Sequence, residues 1–241
     1  MKVKEKLLMD LDGLIKNGPI NIVVLGDSIS HGSVGNDIDY EKVYWNILRQ
    51  KLNEFRNYIP VNIINAAIGA TTAHDALSRL NRDVLTHNPD LVIVCFGLND
   101  VNGELETYLA SLREIFNECR NIGADLIFMT PNMLNTYVAE DTEDSLKPYA
   151  AITAEMQNNG KMDRFINAAI NLADNMDITV CDCYKKWKEI SKTQDVTMLL
   201  GNRINHPNEE MHRLFAENLY PLIIDDEKTV KANDSTMYSE H

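Results

Sequence analysis

Five short apolar runs of strand length alternate with amphipathic segments of helical length, and this alternation leaves few architectures open. The runs are Ile20 to Leu25, Val61 to Ile68, Leu91 to Phe96, Asp125 to Thr130 and Ile178 to Cys183. Such a pattern is the signature of a parallel α/β sheet covered by helices. The helices are expected over Lys2 to Lys16, Glu41 to Phe55, Thr71 or Thr72 to about Thr86, and Glu104 to Asn121. Three more follow, over Lys161 to Asn175, Lys185 to Ser191 and Asn208 to Leu222. Met133 to Gly160 stands apart as a long irregular segment with an acidic knot at Glu140–Asp144, placed to rise over the sheet edge. The chain reads as one domain over residues 1–225, with its first helix packed outside and a fraying polar tail over 226–241.

The bulk properties narrow the function classes. At 241 residues the chain suits one large α/β domain. Its net charge of -13, from 36 acidic against 23 basic residues, argues against a nucleic-acid or anionic-membrane surface. No apolar run approaches the ~20 residues of a membrane span. The basic start at Met1–Lys6 is followed by an apolar stretch that Asp10, Asp12 and Lys16 interrupt, so export is not expected. The 4 cysteines, Cys95, Cys119, Cys181 and Cys183, read as buried free thiols in a reducing cytoplasm. Histidines and carboxylates show no metal-ligand spacing, and there is no glycine-rich phosphate loop, so no metal or cofactor is expected. Nothing in the pattern specifies an oligomeric state.

The first apolar run stops abruptly in Gly26-Asp27-Ser28. Read alone, Ser28 is either the N-cap of the next helix or a hydroxyl delivered to the ligand edge of the sheet. The second run ends in Ile68-Gly69-Ala70, and the third in Gly97-Leu98-Asn99-Asp100. In a parallel sheet these ends converge. The backbone N–H groups of Ser28 and Gly69 and the side-chain amide of Asn99 then form three donors suited to an oxyanion. A serine nucleophile needs a base, and His206 lies in a loop before the last helix, which belongs to the same edge. Asp27 is expected to bond loop N–H groups and Asp100 to cap the helix that starts near Glu104.

Taken in order, Gly26-Asp27-Ser28-Ile29-Ser30, Gly69, Gly97-Leu98-Asn99-Asp100 and His206-Pro207-Asn208 resemble the SGNH hydrolases, or GDSL esterases and lipases. The resemblance covers residues 20–222. It implies a flavodoxin-like three-layer α/β/α sandwich of about five parallel strands. It further implies Ser28 as nucleophile, His206 as base, and Ser28 N–H, Gly69 N–H and Asn99 as the oxyanion hole. The family places an aspartate three residues before the histidine, where this chain has Arg203, a cation with no acceptor. Asn202 and Asn205 flank it without supplying a carboxylate, Asp182 and Asp195 lie on earlier segments, and a backbone carbonyl would serve instead. Arg203 reads as a surface residue or as a holder of an anionic substrate group. The expected activity is hydrolysis of a short-acyl, acetyl-like ester of a small molecule or carbohydrate. An acyltransferase and a catalytically weakened binding module remain as alternatives.

Overall fold

A computed structural model describes residues 1–224; the tail expected to fray, 226–241, lies outside the described residues. In chain order the elements are α1 (Lys2–Leu7), α2 (Leu11–Asn17), β1 (Ile20–Gly26), α3 (Ser28–His31), β2 (Ser33–Val34) and β3 (Asp37–Ile38). Then come α4 (Tyr44–Phe55), β4 (Val61–Asn65), α5 (Ala73–Leu77), α6 (Leu80–Asp83), β5 (Leu91–Cys95), α7 (Leu105–Asn121) and β6 (Asp125–Met129). The chain continues through α8 (Lys147–Asn158), α9 (Lys161–Asn175), β7 (Thr179–Cys181), α10 (Cys183–Ile190), α11 (Val196–Leu199) and α12 (Glu209–Ile223).

The main sheet has five strands in the order β4-β1-β5-β6-β7, all parallel, with Ile22 opposite both Ile63 and Leu91. This is the flavodoxin-like order, in which the connections reverse direction beside β1 and open a crevice at the strand ends. Central strands β1 and β5 are buried almost throughout, as their continuous apolar runs require. Helix α12 packs on α4 and α10 over one face, and α7 packs on α5 and α9 over the other. The expected three-layer α/β/α sandwich is what forms.

Several elements differ from the sequence reading. The expected first helix divides into α1 and α2, because Asp10 caps a new start by accepting from Gly13 N at 2.8 Å. The helix expected from Thr72 begins with a capping box, Thr72 with Asp75, but breaks after Leu77 into α6 and a 3-10 turn. At the break, the buried Arg79 guanidinium donates to the Ala66 carbonyl and pairs with Asp83. Met133 to Gly160 is not irregular throughout, since α8 occupies its second half. That helix turns Ala150, Thr153, Ala154 and Gln157 inward, and Gln157 accepts from Leu134 N at 2.9 Å. Alanine, threonine and glutamine give no hydropathy period, so the helix is invisible to it. The β2–β3 hairpin, two residues per strand, was also beyond such reading.

Candidate active site

Asp27, not Ser28, caps the helix that follows β1: its Oδ1 accepts from Ile29 N at 3.0 Å. Ser28 is thereby the first residue of α3, with its hydroxyl free for another partner. That partner is His206, whose Nε2 lies 3.0 Å from Ser28 Oγ across 178 residues of chain. Glycine is required two residues before the serine, because a Cβ on Gly26 would stand 2.6 Å from the Cys95 carbonyl oxygen. The two central strands therefore approach closely beneath the serine.

The other imidazole nitrogen, Nδ1, lies 2.8 Å from the main-chain carbonyl oxygen of Gly35. A carbonyl can only accept, so Nδ1 carries the proton and Nε2 accepts from the serine hydroxyl. Gly35 is the apex of the β2–β3 hairpin, at φ +66°. Its N–H donates back to the Pro207 carbonyl at 3.2 Å, clamping hairpin and histidine loop in both directions. A Cβ on Gly201 would fall 2.5 Å from Gly35 Cα, so the two backbones meet with no side chain between them. Buried His212 on α12 holds the hairpin base, with Nε2 2.9 Å from the Ser33 carbonyl. Burial holds the His206 pKa below the ordinary 6.5, and the bond to Gly35 opposes that shift.

Neither sequence candidate for a distant carboxylate reaches this imidazole. Asp182 caps α10 by accepting from Lys185 N and also accepts from Thr130 Oγ1. Asp195 accepts from the Tyr137 hydroxyl at 2.7 Å and caps α11. Arg203 turns away from the cavity. Its guanidinium pairs with Asp141 at 2.9 Å and donates to the carbonyls of Met198 and Leu200. It is a clasp between the histidine loop and the segment leading to α8.

The three candidate donors sit at the same sheet edge, beside Ser28. Asn99 Nδ2 donates to the Thr71 carbonyl at 3.0 Å, which uses one of its two N–H groups. Gly69 N donates at 3.2 Å to Nδ1 of His31, the residue at the end of α3. Helix α3 is a single turn that ends at His31, and residues three apart on it share a face, so His31 stands on the side of Ser28. Its ring also stacks on Tyr40, with centroids 6.3 Å apart. Asp100 does not cap the helix near Glu104; its Oδ1 reaches across to Ala73 N at 2.8 Å and ties the end of β5 to α5.

Ser28, His31, Gly69, Asn99, Asn202 and His206 face a cavity of about 490 Å³, walled on its apolar side by Ile38, Leu146, Tyr149 and Ile204. Beneath it, Asp27 and Asp100 are buried, each with one carboxylate oxygen lacking a partner. Desolvation lifts their pKa values to about 7 and about 6, with Asp100 adding to the rise at Asp27. Among the described residues, no cluster of His, Cys, Asp and Glu could hold a metal ion, and no helix is long and apolar enough to cross a membrane.

The model of the GDSL-like lipase/acylhydrolase family matches residues 24–214, a span that includes every residue named at this site. The chain belongs to that family. It is similar to an arylesterase of Vibrio mimicus, 31% identical over 110 residues, 45% of this chain and 52% of that protein. It is also similar to the uncharacterized lipoprotein YqeF of Bacillus subtilis, 35% identical over 94 residues, 39% of this chain and 37% of that one. The matched segments thus span between about a third and a half of these curated relatives. In fold, the chain is similar to the acetylxylan esterase Axe2 of Geobacillus stearothermophilus. The TM-score is 0.67 at 21% identity, over 85% of this chain and 94% of that one. The acetyl xylan esterase AlAXEase matches at the same TM-score of 0.67 and identity of 21%, over 85% of this chain and all of its own.

Proposed function

We propose that this GDSL-family chain is a carboxylic ester hydrolase that works through an acyl-serine intermediate. The observation that carries the reading is the relay Ser28 Oγ, His206 Nε2, His206 Nδ1, Gly35 O, at 3.0 and 2.8 Å. In this mechanism Ser28 Oγ attacks the ester carbonyl carbon while its proton passes to His206 Nε2. The carbonyl oxygen becomes an oxyanion, met by Ser28 N–H, Gly69 N–H and the second N–H of Asn99. Collapse breaks the bond to the alcohol oxygen, which leaves with the proton from Nε2. Water then attacks the acyl-serine, giving its proton to the same nitrogen, and the carboxylic acid departs with Ser28 restored.

The acetylxylan esterase from Geobacillus stearothermophilus has catalytic mutants altered at a serine, a histidine and an aspartate. This chain supplies a serine and a histidine, with a neutral main-chain carbonyl on the imidazole. We extend the proposal to a short acyl group, acetyl above all, with Ile38, Leu146, Tyr149 and Ile204 offering an apolar wall to the rest of a small-molecule or carbohydrate ester. A cytoplasmic location belongs to the same proposal, supported by four buried free thiols and tested by fractionation of the native host.

The deciding experiment is fluorophosphonate labelling with p-nitrophenyl ester turnover. Labelling confined to Ser28, a preference for acetate over longer acyl chains, and loss of both label and turnover in Ser28→Ala are expected. A folded chain whose Ser28 stays unlabelled would instead be the binding module. Transfer of acetyl to an added alcohol in preference to water would make it an acyltransferase.

A further inference from the structure

The side-chain carbonyl oxygen of Asn202 receives three main-chain N–H groups. They come from Ile204 at 3.0 Å, Asn205 at 3.0 Å and His206 itself at 2.9 Å. The gathering is possible because Arg203, between them, adopts a left-handed φ of +61° and folds the following amides back. The Asn202 Nδ2 in turn donates to Asn205 Oδ1 at 2.9 Å. The loop's carbonyls are held from outside: Asn132 Nδ2 donates to the Asn205 carbonyl at 2.8 Å, Asn135 N to that of Ile204 at 2.9 Å. Gly201 N donates to the His206 carbonyl at 2.8 Å.

We propose that Asn202 is the positioning residue of the base, fixing the His206 main chain through the three amides that its one oxygen collects. The proposal rests on the hydrolase reading above. It answers the question that Arg203 raises. The loop needs an acceptor at its centre to hold three converging N–H dipoles, and an amide oxygen one residue before position 203 provides it. Converging amides also favour negative charge, yet Asn202 leaves the place neutral. The imidazolium that forms during turnover therefore meets no counter-charge, either in the loop or at Gly35.

Two variants test this, each assayed per active site titrated with fluorophosphonate so that lost folding does not count as lost rate. Asn202→Ala removes all three acceptor contacts and lets the imidazole wander. Its kcat is expected to fall about 10–100-fold with KM near wild type. Asn202→Asp keeps the acceptor and adds charge, while the Asn205 amide turns over to donate. Its kcat should stay within a few-fold of wild type, and the acid limb of its pH profile should move up by roughly half a unit or more.

An Asn202→Ala chain with wild-type kcat per titrated site, or an active Asn202→Asp chain with an unmoved acid limb, overturns the positioning role. Ser28→Ala is run in parallel. If it still hydrolyses ester, the hydrolase reading itself fails, which separates that failure from a failure at Asn202.

Discussion

His206 Nδ1 donates to the main-chain carbonyl oxygen of Gly35 at 2.8 Å, so the group that orients this imidazole is a neutral dipole on a hairpin apex. A carbonyl fixes the tautomer as a carboxylate would, but it adds no charge to favour the protonated ring. Burial already depresses the pKa of His206. As the proposed base, His206 would be neutral and competent above its pKa and inactive below it. The acid limb of kcat/KM is therefore expected with a midpoint under 6.5, followed by a plateau through neutrality. A limb centred above 6.5 would mean that a carboxylate reaches the ring in solution.

Asn99 holds the Thr71 carbonyl with one N–H, and in the proposed mechanism the other meets the developing oxyanion. Asn99→Ala is expected to lower kcat by about 10²–10³, the usual cost of one oxyanion donor. The thermal midpoint should change little. Stopped-flow acylation with p-nitrophenyl acetate measures the step directly. Unchanged acylation would remove Asn99 from the hole.

Gly69 N–H is already engaged by His31 Nδ1, so in the proposed mechanism a substrate oxygen must take this donor over. His31→Phe keeps an aromatic ring against Tyr40 and deletes the competing acceptor. Since a neutral hydrogen bond contributes about 0.5–1.5 kcal/mol net, kcat/KM is expected to rise about 2–10-fold. A fall would show instead that the imidazole is needed to aim the amide.

Asp27 and Asp100 titrate near 7 and 6 in the fold, against an ordinary 3.8. The folded chain thus binds these protons more readily than the unfolded one. The resulting stabilisation is complete below pH 3.8 and drains away as pH rises through 6 and 7. Asp27→Asn keeps an acceptor for Ile29 N and never ionises. Its thermal midpoint is expected to exceed wild type above pH 7, and the difference to shrink steadily as pH falls toward 3.8. Parallel melting curves across that range check this, and equal slopes for the two proteins would refute it.

What could be read in the sequence was whatever depends on apolar periodicity and strand-end punctuation. Strands β1 and β5, helix α9 and the meeting of Ser28, Gly69, Asn99 and His206 at one edge are of this kind. Periodicity carries nothing about Gly35, whose contribution is a carbonyl that every residue possesses. Only the φ of +66° and the close approach of Gly201 make it special. His31 was hidden for another reason: it matters only because α3 ends after one turn. Helix α8 escaped because its inward face is alanine, threonine and glutamine rather than leucine. Arg203 was legible as an anomaly, but its partner Asp141 lies 62 residues away, beyond any local pattern.

The hairpin clamp has a consequence for the order in which the protein acquires its chemistry. Ser28, Gly69, Asn99 and the Gly35 carbonyl are all synthesised in the first half of the chain, whereas His206 and the helix that anchors the hairpin base come at the end. A nascent chain that has emerged only as far as β7 carries a serine without its base and a hairpin without its clasp. In the proposed mechanism such a chain lacks the base for ester cleavage until α12 docks.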